Sequence, residues 1–461
     1  MEPVEVSREI DAPIDEVFSH FVDPSEELRL GLHEEHVKAY KELAKGENSL
    51  AYSFVFQSFG FRFGGKAREE FQRPHLTRIW VDEGPLKDAI IDLKFEETER
   101  GTTIVRQITA IPDSADGPLR KILGQQMRAR IHALTAVHLD QHGRDIEGLE
   151  PKSYLTPGEA RAVAIMEVLR SVRAISLPMI LMPLIAGAAL ASTVGEVSGW
   201  RLALTLIGGA LALFAGNLTN DIWDFSGGAD HAAIGTEGAT LTGSGALLYG
   251  TFTPKQAWAF TGVLLAIAVA CGAALTVGHP WAPVFAVAGV GVAMLYQAPP
   301  FRLSYRGYGL GELCIWAAFG PVPVAGAYYV QTGTVSPAAW VLGAVVGLGA
   351  ALVLYCHHFL QWEADLEAEK MGPIATLGPR RGAKLGVVIA LLFAAVLGAS
   401  PWLLGAPMWA ALSGLPPLLL LPALWRVARQ GNEAISFSLL QRAGEAFALG
   451  VGVLSVVLFT A

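Results

Sequence analysis

The sequence predicts a two-part protein: an α+β domain in the first 150 residues, then an all-α bundle of nine membrane helices. Three observations predict it. The chain has 461 residues, 52% of them apolar, with a mean hydropathy of +0.41, but these averages hide a sharp break near residue 155. Residues 1–150 hold most of the charge and no apolar run near ~18 residues, the length that suggests a span. Beyond 165 the chain is run after run of Ala, Leu, Val and Gly.

The first part opens with Val4–Ile10, which alternates as a strand does. Ala12-Pro13 then precedes apolar residues at helical spacing through Val17, Phe18 and Phe21, with proline suited to a helix start. Alternating stretches near 49–58, 61–71, 76–83, 87–97 and 102–111 predict strands, divided by turn signals such as Thr98-Glu99-Arg100-Gly101. Residues 117–143 predict one amphipathic helix whose stripe is Leu119, Ile122, Leu123, Met127, Ile131, Leu134 and Val137. Residues 151–164 read as a linker and 165–461 as the membrane domain. Met1-Glu-Pro-Val lacks a basic stretch leading into an apolar one, so a cleaved signal peptide is not expected and the N-terminal domain should be cytoplasmic.

Nine apolar segments follow, near 169–194, 199–219, 256–277, 280–298, 309–330, 337–358, 383–403, 406–425 and 439–460. Each approaches the ~20 residues that cross a bilayer as a helix. One set of connections carries Lys255, Arg302, Arg306, Lys370, Arg380, Arg381, Lys384, Arg426 and Arg429. The other set has no Lys or Arg beyond Arg201, just inside the second segment. The positive-inside rule makes the first set cytoplasmic, on the face where the N-terminal domain joins, and an odd number of spans leaves the C-terminus outside. Cys271, Cys314 and Cys356 lie in apolar runs without metal-like spacing and read as small core residues. A net charge of −8 argues against nucleic acid as a partner.

The chemistry concentrates at the cytoplasmic ends of two segments. Asn217-Leu-Thr-Asn220-Asp221-Ile-Trp-Asp224 continues to Asp230, placing carboxylates and carboxamides at the end of an apolar run. Charge is expensive in a bilayer, which makes such residues functional candidates. Asn217, Asp221 and Asp224 share one helix face. Their oxygens suit Mg2+, a hard ion that often binds through substrate phosphates. A plain Asn/Asp helix cap in a solvated loop is the alternative. The second cluster is His357-His358-Phe-Leu-Gln361-Trp-Glu363-Ala-Asp365, running on to Lys370. Two such clusters facing each other would bridge a diphosphate through metal and stabilise it as a leaving group. The two histidines lack a third ligand for zinc and read as polar lining or proton-handling groups. Glu367 and Glu369 read as loop charges. Arg302 and Arg306, around Tyr305, offer forked hydrogen bonds to diphosphate oxygens or serve only as topology-setting charges. Arg173, at the start of the first segment, joins Asn217, Asn220, Gln361, His358 and Lys370 as a candidate substrate contact.

With these residues in view, 165–461 resembles the UbiA superfamily of intramembrane prenyltransferases. Its pattern is N-x-x-x-D-x-x(-x)-D after the second span and D-x-x-x-D after the sixth. Asn217, Asp221, Asp224 and Asp230 match the first. Thr242-Gly-Ser-Gly through Pro254, Arg302-Leu-Ser-Tyr-Arg-Gly through Glu312, and Gly326-Ala-Tyr-Tyr-Val330 resemble the branch acting on 1,4-dihydroxy-2-naphthoate in menaquinone biosynthesis. The second motif departs: Gln361 stands where the first Asp belongs, Asp365 remains, and Glu363 or His358 would compensate. Thr376 stands where many relatives carry a basic residue, and 221–254 contains no Lys or Arg. The strand-helix-strands-long-helix order, with its Ala-Pro opening, resembles the helix-grip fold of the START/polyketide-cyclase (SRPBCC) superfamily, whose cavity holds lipids or aromatic molecules.

The resemblance implies magnesium-dependent transfer of a polyprenyl group from its diphosphate to an aromatic acceptor in the cytoplasmic membrane. Asp221, Asp224, Asp230, Glu363 and Asp365 would hold metal. Asp221, Asp224, Asp365 and Tyr305 would be catalytic. Trp223, Tyr305 or Trp362 would stabilise an allylic cation through their ring faces. The N-terminal domain would capture the apolar acceptor. The altered Gln361 position keeps open a cyclase that acts without acceptor, and a non-catalytic lipid-binding protein is the third reading.

Overall fold

The computed structural model describes residues 3–22, 37–58, 61–83, 88–110, 118–150, 152, 156–227, 244–248, 250–307, 309–367, 369–435 and 437–461. The chain divides into two compact units, Met1–Glu167 and Val168–Ala461.

The first unit is a seven-stranded antiparallel sheet with helices. β1 (Val4–Ile10) leads into α1 (Ile14–Phe21), then β2 (Val37–Lys45), β3 (Ser49–Ser58), β4 (Phe61–Gln72), β5 (Leu76–Glu83), β6 (Ile90–Glu97), β7 (Thr103–Ala110), α2 (Pro118–Ile146) and α3 (Pro157–Ser171). Strand order is β1-β7-β6-β5-β4-β3-β2, so β1 closes against the last strand and every other neighbour is a hairpin. Sequence reasoning missed β2. Val37-Lys-Ala-Tyr-Lys-Glu-Leu-Ala-Lys is rich in helix formers. Pairing with β3, Tyr40 opposite Phe54, overrides that preference, and the exposed Lys45 suits an edge strand.

The long helix packs on the sheet's apolar side. Leu139 is fully buried with Ile10, Val17, Phe18, Phe95 and Val105. The buried stripe of α2 runs through Ile131, Thr135, Leu139 and His142, while the expected Leu134 and Val137 are only half-buried. Arg8 locks β1 to the helix end: Nη1 donates to Leu139 O at 3.2 Å and Nη2 to Glu147 Oε2 at 2.9 Å. On the other face Arg68 and Arg78 make paired bonds to Asp82 and Asp92 across neighbouring strands. The Arg68 guanidinium holds the Asp82 carboxyl below its usual range.

The second unit is a helical bundle: α4 (Pro178–Ser192), α5 (Gly199–Ser226), α6 (Pro254–Leu275), α7 (Ala282–Gln297), α8 (Leu310–Ala318), α9 (Pro321–Thr332), α10 (Pro337–His357), α11 (Trp362–Glu367), α12 (Pro373–Leu377), α13 (Pro379–Gly398), α14 (Ser400–Leu404), α15 (Leu421–Gln430) and α16 (Phe437–Thr460). Short 3-10 turns fill several junctions. α5 packs on α6, α4 between α9 and α16, and α13 on α15, around a core that includes Val324, Leu342, Val346, Phe393 and Phe447.

Among the described residues, eight helical stretches are long and apolar enough to cross a membrane, not the nine expected. The exception is α7, whose 16 residues rise about 24 Å, short of a ~30 Å hydrocarbon core. It starts beside Pro283 and stops at Ala298-Pro299-Pro300, where the missing amide hydrogens end the ladder. The stretch Leu310–Thr332 divides into α8 and α9 at Phe319-Gly320. There small residues let helices touch: a Cβ on Gly343 or Gly347 would strike the backbone of Pro321 or Trp316. Large apolar side chains such as Val263, Val287, Leu391 and Val456 remain exposed, as they do where lipid is the solvent. The chain is an integral membrane protein.

Candidate active site

The last two turns of α5 carry the first acidic motif because the apolar run continues as helix to Ser226. One helical face therefore presents Asn217, Asp221 and Asp224 at successive turns. Asp221 is buried and fully engaged: Arg173 donates to Oδ1, and the Ser244 amide and hydroxyl donate to Oδ2. Arg173 reaches it from a left-handed turn, φ 51°, between α3 and α4. Asn217 spends its amide hydrogens on Val172 O and Ser176 Oγ, both at 3.0 Å, which leaves its carbonyl oxygen for another partner. Asp224 accepts from Asn220 Nδ2 at 2.8 Å and from the Tyr305 hydroxyl at 3.0 Å.

Tyr305 joins the two clusters. It sits in a 3-10 turn, Leu303–Tyr305, held by Arg302 in a left-handed conformation, φ 40°. Its ring lies 5.3 Å from the Arg302 guanidinium carbon and 5.4 Å from Lys370 Nζ. Burial, reinforced by the Asp224 carboxylate, raises the Tyr305 phenol well above its usual value and keeps it a hydrogen donor. Lys370 Nζ lies 3.7 Å from Asp365 Oδ1. His358 Nδ1 is 3.3 Å from Asp365 Oδ2, and His358 Nε2 is 3.2 Å from Glu312 Oε1. Burial alone would raise the Asp365 carboxyl and lower Lys370. The lysine's charge and the His358 hydrogen bond pull Asp365 below the usual range, and Asp365 with Asp224 lifts Lys370 above its own.

A continuous path thus runs from Asn220 through Asp224, Tyr305, Lys370 and Asp365 to His358 and Glu312. Several candidates stand apart from it. Arg306 is exposed and holds its own loop, donating to Phe301 O at 2.8 Å and Pro300 O at 3.2 Å. Glu363 accepts from Asn432 Nδ2 at 3.2 Å, toward α15. Gln361 takes part through its backbone carbonyl, which accepts from Asp365 N at 2.7 Å. Trp223 packs edge-on against Trp258, 6.0 Å away, and Trp362 packs on the main core. Asp230 and Thr242 lie outside the described residues. Sequence reasoning missed Ser176 and Ser244, whose contacts depend on chain segments far from the motif, and it named Glu312 without a role. His357 is half-buried, and its Nδ1 is a buried atom with no hydrogen-bond partner among the described residues.

Residues 180–449 match the UbiA prenyltransferase family. The chain belongs to the UbiA prenyltransferase family. It is 30% identical to the chloroplastic 2-carboxy-1,4-naphthoquinone phytyltransferase of Arabidopsis thaliana, over 64% of this chain and 78% of that protein. It is 29% identical to the 1,4-dihydroxy-2-naphthoate octaprenyltransferase of Mycobacterium tuberculosis, over 56% of this chain and 86% of that one. A solved UbiA homolog from Archaeoglobus fulgidus, bound to DMAPP and Mg2+, is 17% identical, covers 64% of this chain and 99% of its own, and has a TM-score of 0.48. The UbiA enzyme described here is therefore a prenyltransferase by family, carrying an additional N-terminal sheet unit.

Among the described residues no group of three or more His, Cys, Asp or Glu side chains is placed to hold a metal ion. The donor types still fit magnesium. Asp221 and Asp224 sit one turn apart beside the Asn217 carbonyl oxygen, and Mg2+ is held by one or two carboxylates with substrate phosphates, not by an all-protein cage. Asp221 is paired with Arg173, whereas Asp224 accepts only from the neutral Asn220 amide and Tyr305 hydroxyl.

Proposed function

We propose that this UbiA enzyme transfers a polyprenyl group from its diphosphate to a naphthoate-type aromatic acceptor, with magnesium, in the cytoplasmic membrane. One observation carries the reading. A single half-buried network links Asp224 of α5 to Asp365 of α11 through Tyr305 and Lys370, at the ends of apolar helices. The relatives named for naphthoquinone and dihydroxynaphthoate prenylation support the acceptor class.

Asp221 and Asp224, with the Asn217 oxygen, would hold the metal, and Asp365 would serve the second cluster. Bound magnesium supplies charge withdrawal from the departing diphosphate. Arg173, Arg302 and Lys370 would contact diphosphate oxygens, Lys370 as a charge kept by its two carboxylates. Tyr305 keeps its proton and orients Asp224. With Arg302 and Lys370 drawn to diphosphate oxygens, its ring face would be left to the positive centre on the allylic carbon. The apolar helices exclude water that would otherwise capture that carbon. The N-terminal unit, on the cytoplasmic side, would take up the apolar acceptor.

The test is direct. Purified protein in liposomes receives Mg2+, a prenyl diphosphate and 1,4-dihydroxy-2-naphthoate, and products are read by mass spectrometry. A prenylated naphthoate is expected. A cyclic terpene formed without acceptor would instead establish the cyclase reading, and no consumption of diphosphate would leave a lipid-binding protein.

A further inference from the structure

A recess lies where α13 begins and α15 ends. Open and about 440 Å³ in volume, it is lined by Leu377, Pro379, Arg380, Arg381, Gln430 and Asn432, among others. The two helix ends meet closely: a Cβ on Gly431 would lie 3.1 Å from Arg380 Nε. Asn432 is fixed at the rim by its hydrogen bond to Glu363 Oε1.

Apart from Glu363, which is held by Asn432, the charge around the recess on α13 and α15 is basic. Arg380, Arg381 and Lys384 on α13, and Arg426 and Arg429 on α15, are all exposed, and among the described residues none pairs with an acid. Arg429 instead covers the ring of Trp425 at 5.3 Å, and Trp425 is itself 53% exposed. Arg380 and Arg381 occupy the first turn of α13, where they oppose the helix dipole and so do not serve the helix. The stretches Pro379–Gly398 and Met408–Gln430 are both long enough to span, which puts the recess at the membrane–water boundary, where tryptophan and arginine anchor. A topology signal needs only charge on this rim; it needs no recess and no pair of arginines lining one.

We propose that this recess seats the phosphate of an anionic phospholipid headgroup, with Arg380 and Arg381 as its contacts and the neighbouring cations drawing the lipid in. Basic clusters at the ends of membrane helices recognise anionic lipids, each charge contributing about a fivefold factor.

The full-length protein is reconstituted in phosphatidylcholine with a minority of phosphatidylglycerol and washed in detergent, and retained lipid is weighed by native mass spectrometry. Wild type should retain phosphatidylglycerol, and Arg380→Gln/Arg381→Gln should lose about thirtyfold in retention. Lys255→Gln, at the start of α6, should lose nothing. Inorganic phosphate at the lipid's concentration, or excess geranyl diphosphate, should not displace the lipid. If the double variant fails to fold, judged by thermal unfolding in phosphatidylcholine alone, Arg381→Gln with its expected loss of about fivefold gives the same reading. Undiminished retention by the arginine variants overturns the proposal. So does an equal loss in Lys255→Gln, displacement by inorganic phosphate, which would make this a free-anion site, or displacement by geranyl diphosphate, which would place the lipid in the prenyl site.

Discussion

The two carboxylate clusters are built differently. The first lies on one helix: Asn217, Asn220, Asp221 and Asp224 all belong to α5. The second is assembled from three places, with His358 after α10, Asp365 on α11 and Glu312 on α8, plus Lys370 from the loop beyond. In the first, buried Asp221 meets Arg173 and Ser244 from outside the helix, and half-buried Asp224 meets the Tyr305 hydroxyl. The second is neutralised from within, since His358 and Lys370 both crowd Asp365. A half-buried carboxylate capped only by neutral donors, as Asp224 is, keeps its charge for a cation. A carboxylate buried with its own cations is suited to hold its neighbours in place. Under the proposed function the two divide the labour, metal capture at α5 and positioning at α11.

The largest effects should fall on the first cluster. Asp221→Ala and Asp224→Ala should each lower kcat at least about a hundredfold, because several kcal/mol of charge stabilisation depends on them, and Asp224→Ala, outside any buried ion pair, should do so with expression intact. Chelating Mg2+ should do the same. A variant with near wild-type turnover would end the metal assignment.

Next comes Asp365→Ala, which strands Lys370 and His358 in a buried place. Removing one partner of a buried pair costs about 3–5 kcal/mol. Thermal unfolding should therefore fall markedly along with activity, and Asp365→Asn should recover stability more than turnover. Equal melting temperatures for wild type and Asp365→Ala would show that the second cluster does not position anything.

Tyr305→Phe tests the link between the clusters. It keeps the ring beneath Arg302 and Lys370 but loses the bond to Asp224, worth about 1.5 kcal/mol or more with a charged acceptor. Turnover should drop by roughly tenfold. Tyr305→Leu should drop it further if the ring face also matters, so equal losses would remove the aromatic role.

The smallest effects concern positions outside the network. Gln361→Asp should be tolerated and should sharpen Mg2+ dependence, measured by metal titration of the initial rate. Deleting residues 1–150 should leave chemistry intact but raise the acceptor concentration needed in liposomes, because local delivery is lost. An unchanged acceptor curve would leave the N-terminal unit as a docking or regulatory module.

Much of this protein is written in local sequence. Apolar runs and their lengths mark the bundle, since a bilayer demands continuous helix. Alternation marks most of the strands, and helical spacing puts Asp221 and Asp224 on one face. Where the period carries no message, the sequence misleads: the helix-forming β2 is a strand because β3 offers it hydrogen bonds, and α7 is too short because the pair Pro299-Pro300 stops it. Contacts between distant segments were decided by tertiary structure alone. Nothing in the spacing shows that Ser244 closes on Asp221, that Glu363 turns to Asn432, or that Arg306 folds back on its own loop. Tyr305 joins two motifs about sixty residues beyond it in one direction and eighty in the other, and only packing brings them to one ring. Periodicity encodes which face a residue occupies, whereas the partner it meets there is set by how the helices cross.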